Sequence, residues 1–163
     1  MLISKKNNIF QLEPSERRLV GAGALVLFIW NLAIILAPAF MGSEKTVLQY
    51  LGSTLYFYMD PVCHQLAERS LVLFGLPTPV CTRCIFIYQA GFIVFGWIFV
   101  RNRIRFWPWQ LYGGITLFVL FEKFIIVDLY VSLRVVAGFV LGILLFRLIL
   151  EGIFYGYRGK LNG

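Results

Sequence analysis

Apolar positions along the chain gather into four long stretches, which are Leu19–Met41, Cys84–Val100, Trp109–Val127 and Val131–Leu150. A bilayer core about 30 Å thick is crossed by roughly 20 mainly apolar residues in a helix. The second stretch is short, so we expect it to include residues from Val80 to Arg83 or to tilt little. The pattern predicts an all-α integral membrane fold with four transmembrane helices, in one domain of residues 1–163.

A shorter stretch, Thr46–Met59, has the periodicity of an amphipathic helix. Polar residues share one face of such a helix: Thr46, Gln49, Ser53 and Asp60. Apolar residues share another: Val47, Leu51, Leu55 and Tyr58. We predict a helix that lies in the membrane interface, and the alternative is a half-helix embedded among the spans. The interfacial helix and the loop after it would then occupy residues 46–83.

The composition agrees with a membrane protein. Hydrophobic residues make up 60% of the chain and charged residues only 14%, and the mean hydropathy is +0.80. Three cysteines are too few for a small disulfide scaffold, and a disordered chain would be far less apolar. These values exclude a soluble globular protein, a disordered chain and a disulfide-rich domain.

The net charge of +7 predicts an orientation in the membrane. Nine basic residues lie on one side of the four-helix layout: Lys5, Lys6, Arg17, Arg18, Arg101, Arg103, Arg105, Arg158 and Lys160. The long loop on the other side contains Lys45, Arg69 and Arg83. Because basic residues beside spans favour the cytoplasmic face, we expect cytoplasmic termini and an extracytoplasmic loop. Charges that flank spans also favour membrane lipid over nucleic acid as the partner.

All three cysteines and the only histidine lie in that loop. Cys63 and His64 are separated by sixteen residues from Cys81, which forms a Cys-x-x-Cys motif with Cys84. This spacing lets two thiolates reach one metal, and the separation resembles that between the halves of a zinc ribbon. The four residues predict a zinc site, with another transition metal as an alternative. A closed site would be structural, whereas an open fourth position would suit catalysis.

Other uses of these cysteines stay open. Cys81 and Cys84 could form a disulfide, or a redox-active dithiol that exchanges electrons with a membrane quinone or a partner thiol. Cys63 would then be free, resolve a mixed disulfide or pair with another chain, and inert thiols are a further alternative. A c-type haem is disfavoured because Ile85 follows Cys84 where the attachment motif has histidine. The chain could also be an accessory subunit of a larger membrane complex, or a homo-oligomer.

Helix connectivity brings further charged residues to the level of the loop: Arg83, Glu122, Lys123, Asp128 and Arg134. Ionisable groups within spans are costly and usually have partners or face a cavity. The candidate catalytic or substrate-contacting residues are therefore Glu122, Arg69, Arg83 and Arg134, with Glu122 as a possible base. The alternative is that Lys123 and Arg134 reach the headgroups while Asp128 is a turn residue. Whether the chain is an enzyme stays open.

Small and polar residues within the spans predict helix contacts. Gly138 and Gly142 are four residues apart, as are Gly152 and Gly156, and such pairs let helices pack closely. Asn31 in the first span predicts a hydrogen bond between helices.

The loop resembles a prokaryotic family of multi-span membrane proteins, domain of unknown function 2085. The matching residues are Cys63, His64, Gln65, Leu66, Glu68, Arg69, Ser70, Gly75, Pro79, Val80, Cys81, Arg83, Cys84, Ile87 and Tyr88. This chain departs from the family at Ile85 and Phe86, where a small polar residue and glycine are usual. The resemblance implies a prokaryotic membrane location and a specific role for the loop, but no established activity.

Overall fold

The computed structural model describes residues 9–63, 67–105, 107–108, 110–114, 116–117 and 131–161. Four helices are bounded in it: α1 (Pro14–Met41), α2 (Thr46–Met59), α3 (Thr82–Arg101) and α4 (Val131–Leu161). Four short strands accompany them: β1 (Ile9–Gln11), β2 (Ser70–Leu73), β3 (Leu76–Cys81) and β4 (Arg103–Arg105). A 3-10 turn, Ala67–Arg69, precedes β2.

Three helices of the described part are long and apolar enough to cross a membrane: Pro14–Met41, Thr82–Arg101 and Arg134–Tyr155. They correspond to the first, second and fourth predicted spans. Of the third predicted span, Trp109–Val127, residues 110–114 and 116–117 are helical and the remainder lies outside the described residues. The described chain is therefore mostly helical, with three of the four predicted spans present as long apolar helices.

The first helix begins five residues earlier than its apolar stretch. Pro14 is its first residue, and the Glu13 N–H donates a hydrogen bond of 2.8 Å to the Glu16 carboxylate. This reciprocal capping stabilises the helix start within a polar segment, which hydropathy alone does not register. At the other end of the chain α4 continues to Leu161, beyond the predicted end at Leu150.

Close approach of α3 and α4 depends on the first glycine pair. A Cβ on Gly138 would lie 2.5 Å from the Arg83 carbonyl oxygen, and one on Gly142 would lie 2.5 Å from that of Ile87. This confirms the predicted close-packing face. A Cβ on Gly152, by contrast, would meet no described atom within 4 Å.

The predicted hydrogen bond of Asn31 is also confirmed. Its Nδ2 donates to the Tyr88 carbonyl oxygen at 3.3 Å and to the Leu27 carbonyl oxygen at 2.8 Å. The first of these bonds joins α1 to α3, so α3 lies against both α1 and α4.

The described chain is mostly helical as predicted, but it also has two antiparallel sheets of two short strands each, which the all-α prediction missed. Strands β2 and β3 form a hairpin inside the predicted loop, with Leu73 opposite Leu76. Its two turn residues, Phe74 and Gly75, have φ of 54° and 81°, as a type I′ turn requires. Pro77 and Pro79 argue against a strand when the sequence is read alone, because proline disfavours a central strand. Proline is tolerated at an edge, which is where this strand lies.

The second sheet closes the opposite end of the helices. Strand β1 pairs with β4, with Phe10 opposite Ile104. The start of α1 and the end of α3 therefore lie side by side, and the arginines that flank them share one end of the structure.

A buried apolar cluster lies at each end of the structure. We call the end with the β1–β4 sheet and the flanking arginines the basic end; its cluster contains Leu12, Val20, Val94, Phe95, Ile98, Ile104, Leu150 and Phe154. We call the end with the β2–β3 hairpin the cysteine end; its cluster contains Ile34, Met59, Cys63, Val80 and Ile85. The two clusters mark the two ends of α1 and α3, which run in opposite directions.

Helix α2 has the predicted bounds, but it packs through a face that the amphipathic pattern did not single out. Gly52 and Met59 are its buried residues, and a Cβ on Gly52 would lie 2.7 Å from the Met41 backbone nitrogen. Glycine permits this close backbone approach. The predicted apolar face stays uncovered, with Val47 73% and Tyr58 67% exposed.

Candidate metal centre

The three cysteines meet at the cysteine end although they come from three different elements. Cys63 follows α2 and its N–H donates a 3.2 Å hydrogen bond to the Met59 carbonyl oxygen. Cys81 is the last residue of β3, and Cys84 lies in the first turn of α3. Their sulfur atoms all lie within 4.8 Å of one another, with Cys63 buried and the other two half-buried.

Local structure accounts for this convergence. Cys81 is the N-cap residue of α3, so Cys84 is three residues further along the same first turn. Their sulfur atoms are 3.4 Å apart, and the Cys81 N–H donates to the Cys63 sulfur at 3.2 Å. The Thr82 hydroxyl donates to the Arg69 carbonyl oxygen at 3.0 Å. The strand, the 3-10 turn and the helix start are thus held together around the thiols.

The three sulfur atoms are close enough together to bind one metal ion. Zinc binds thiolate sulfur at about 2.3 Å, and a tetrahedral site therefore separates its sulfurs by about 3.8 Å. The Cys81 and Cys84 sulfurs are 3.4 Å apart, slightly less than this value, and no pair of the three sulfurs is separated by more than 4.8 Å. A disulfide needs a sulfur separation of about 2.05 Å, and all three cysteines are free thiols. Three converging thiols suit zinc and other metals that prefer soft ligands.

The Cys81 thiol is electrostatically distinct. A hydrogen bond from the Cys84 thiol lowers the pKa of Cys81 to about 5, although burial acts in the opposite direction. The start of α3 adds the positive end of a helix dipole at the same place. A lowered pKa favours the thiolate form of Cys81, which is the form that binds metals and reacts with disulfides.

The remaining candidates divide into two groups. His64, Glu122, Lys123 and Asp128 lie outside the described residues. Arg69 is exposed in the 3-10 turn, while Arg83 in α3 and Arg134 in α4 are half-buried. Arg134 is one helical turn before Gly138, which packs against the Arg83 backbone. The three described arginines therefore belong to elements that meet at the cysteine end.

Two residues beside the thiols were not among the sequence candidates. Tyr88 packs on the cysteine-end cluster, and its ring centroid lies 5.7 Å from that of Trp30 in an edge-on arrangement. The available signal was the spacing of Tyr88, four residues after Cys84 and so on the same helix face. These rings form an apolar wall behind the sulfurs.

A family model described as "Predicted membrane protein (DUF2085)" matches residues 63–148. The chain belongs to this family. The DUF2085 match begins at Cys63 and includes Cys81, Cys84, Gly138 and Gly142, so it covers the thiols and the glycine contact of α3 with α4. The earlier resemblance is confirmed.

Among curated proteins, the chain is similar to the uncharacterized protein MJ1492 of Methanocaldococcus jannaschii. The two are 35% identical over 75 residues, which are 43% of this chain and 48% of that relative. The chain thus matches about half the length of this relative. No solved structure matches the chain.

Proposed function

We propose that this DUF2085 protein is a multi-pass membrane protein that binds one zinc ion through Cys63, His64, Cys81 and Cys84. The observation that carries the proposal is the convergence of three thiols from separate elements within 4.8 Å. We assign the site a mainly structural role, because four protein ligands leave no open coordination position. The zinc would supply a cross-link, and His64 would complete the ligand set directly beside Cys63.

The contacts around the thiols support a structural role. Cys63 follows α2, Cys81 ends the hairpin and Cys84 lies in the first turn of α3, so one ion would join three parts of the chain. A cross-link there would also fix the packing of Cys63, Val80 and Ile85, which belong to the same buried cluster. The Cys81 N–H also donates to the Cys63 sulfur, as outer-shell groups around metal thiolates do.

The proposed topology has four spans, with the basic end in the cytoplasm and the thiols on the extracytoplasmic side. Support comes from Arg17 of α1 and Phe99 of α3, whose cation–π contact joins the cationic start of one span to the end of the next. Helix α2 would lie in the interface with its uncovered face, including Val47 and Tyr58, toward lipid.

Elemental analysis of the detergent-purified protein, together with a thiol count, tests the metal site. The wild type should contain about one zinc per chain, with its thiols unreactive until a chelator is added. Cys81→Ser and His64→Asn should each lower the zinc content. Glu68→Gln is the matched control, because it removes an exposed potential ligand from the same loop.

The alternatives give different results. Zinc retained in His64→Asn would exclude histidine as the fourth ligand. Absence of metal in the wild type, with two of three thiols oxidised and reducible, would overturn the metal proposal.

The second candidate function is a thiol oxidoreductase, which the position of Cys81 and Cys84 at the start of α3 favours. The two thiols would form a disulfide, giving two electrons and two protons to a disulfide or quinone acceptor. Rapid alkylation of a single thiol in metal-free, freshly reduced protein, together with turnover of such an acceptor, would support it. Zinc-protected thiols and no turnover would exclude it.

A further inference from the structure

A pocket opens at the basic end, away from the thiols. It lies between the start of α1 and the end of α3 and has a volume of about 400 Å³. Its lining residues are Leu12, Pro14, Arg17, Arg18, Phe99 and Asn102. The volume is within the usual range of about 300–1,000 Å³ for small-molecule sites. The lining combines two cations and an amide with apolar walls.

The two arginines are available to an anion. The Arg17 guanidinium lies 5.0 Å from the centroid of the Phe99 ring, and this cation–π contact orients it at the pocket wall. Arg18 is exposed and has no ion pair among the described residues. The nearby carboxylates of Glu13 and Glu16 both accept backbone N–H groups in the capping box of α1. The pocket therefore has two cations whose neighbouring acids are engaged elsewhere.

Asn102 adds an amide to the same pocket. It is in the left-handed conformation, with φ of 51°, and its backbone N–H closes the end of α3 by donating to the Ile98 carbonyl oxygen. Its Oδ1 is buried and has no hydrogen-bond partner among the described residues. Asn102 lines the pocket, and the NH2 group of its amide is a hydrogen-bond donor that suits a ligand oxygen.

The surroundings of the pocket distinguish a lipid from a free anion. Leu19 follows Arg18 in α1 and is 51% exposed, while Val100 follows Phe99 in α3 and is 75% exposed. If the charged group of a ligand contacts the arginines, the rest of the ligand lies next to this exposed apolar helix surface. Basic pockets between membrane helices suit anionic headgroups, with the acyl chains along the spans.

We propose that this pocket binds the phosphodiester headgroup of an anionic phospholipid. Arg17 and Arg18 contact the phosphate oxygens, because guanidinium groups form charge-assisted hydrogen bonds with phosphate. Asn102 donates a further hydrogen bond to the headgroup. The acyl chains lie on the exposed apolar surfaces of α1 and α3.

The test uses the full chain in an uncharged detergent, titrated with short-chain phosphatidylglycerol and followed by native mass spectrometry. Phosphatidylcholine of the same chain length and inorganic phosphate serve as comparison ligands. Arg18→Gln should weaken phosphatidylglycerol binding about tenfold, the loss expected for one charge-assisted hydrogen bond. Arg17→Gln should act in the same direction. Arg103→Gln is the matched control, because it removes an exposed charge at the same end outside the pocket.

Each outcome decides the proposal. A preference for phosphatidylglycerol over phosphatidylcholine that Arg18→Gln abolishes and Arg103→Gln retains supports it. Equal losses in Arg18→Gln and Arg103→Gln would show general surface attraction and overturn the pocket. Competition by inorganic phosphate at the lipid's own concentration would assign the pocket to a free anion and overturn the lipid. Arg18 is exposed, so we expect Arg18→Gln to retain the fold.

Discussion

The two ends of the molecule are closed by similar elements but contain different chemistry. A two-stranded antiparallel sheet lies at each end, beside the termini of the same helices. The basic end buries large apolar side chains, including Phe95 and Phe154, and carries arginines over aromatic rings. The described part of the cysteine end buries a cluster that includes the Cys63 thiol. The difference indicates that a bound metal ion would stabilise the cysteine end and have little effect on the basic end.

The largest expected effect is a loss of structure at one end only when metal is removed. An ion present at a thousandfold excess over its Kd stabilises a site by about 4 kcal/mol. Chelation should therefore reduce amide exchange protection in β2, β3 and the start of α3 by up to about a thousandfold. Protection of β1 and β4 should change little. Hydrogen exchange with mass spectrometry measures both ends together, and an equal loss at both would contradict the distinction.

A smaller effect is expected from adding one methyl group between α3 and α4. Gly138→Ala would bring a Cβ to 2.5 Å from the Arg83 carbonyl oxygen, so the helices must separate near the thiols. We expect a loss of about 1–3 kcal/mol in the free energy of unfolding. Gly152→Ala is the control, since its Cβ meets no described atom, and it should cause no loss and a gain of at most about 1 kcal/mol from the higher helix propensity of alanine. Denaturation in mixed detergent micelles compares the two, and similar losses would count against close packing at Gly138.

The smallest effect is expected from removing a hydrogen bond between α2 and the hairpin. The Tyr56 hydroxyl donates to the Pro77 carbonyl oxygen, and Tyr56→Phe should cost about 1 kcal/mol at neutral pH. Tyr50→Phe, on the exposed side of the same helix, should cost almost nothing. Thermal unfolding of both variants measures this difference.

The same tyrosine predicts a pH dependence. Burial raises the pKa of Tyr56 above its usual value of 10.0, so the folded state holds the phenolic proton more tightly than the unfolded state. The Tyr56 hydroxyl therefore makes its full contribution to the free energy of unfolding below pH 10. That contribution decreases as the pH rises toward the folded pKa. Tyr56→Phe should lack this alkaline loss. An identical alkaline profile in both proteins would contradict the assignment.

The features predicted well from sequence were those with a single dominant cause. Long apolar stretches account for α1, α3 and α4, and 14 residues with helical periodicity account for the bounds of α2. The close packing at Gly138 and Gly142 depends only on the small size of glycine, which can be read from the sequence. The hairpin was missed because Pro77 and Pro79 oppose a strand locally, and only its edge position makes them acceptable.

The cysteine site was partly predictable for a similar reason. Spacing alone brings Cys81 and Cys84 together, since three residues span one helical turn. The approach of Cys63 depends on the end of α2, the hairpin and the hydrogen bond from the Cys81 N–H, which are tertiary features. The lipid pocket was not predictable, because Arg17 and Asn102 are 85 positions apart and are brought together by tertiary contacts of α1 with α3 and of β1 with β4.

The direct passage from β3 into α3 restricts how the chain length can vary. Cys81 ends the strand and caps the helix, so no linker residue separates the two elements. One residue inserted between Cys81 and Cys84 would turn the second thiol by about 100° around the helix axis, away from the first. The turn at Phe74 and Gly75 lies at the other end of the hairpin, where added residues leave the thiols in register. Insertions and deletions among related chains should therefore occur at that turn and be absent from the junction.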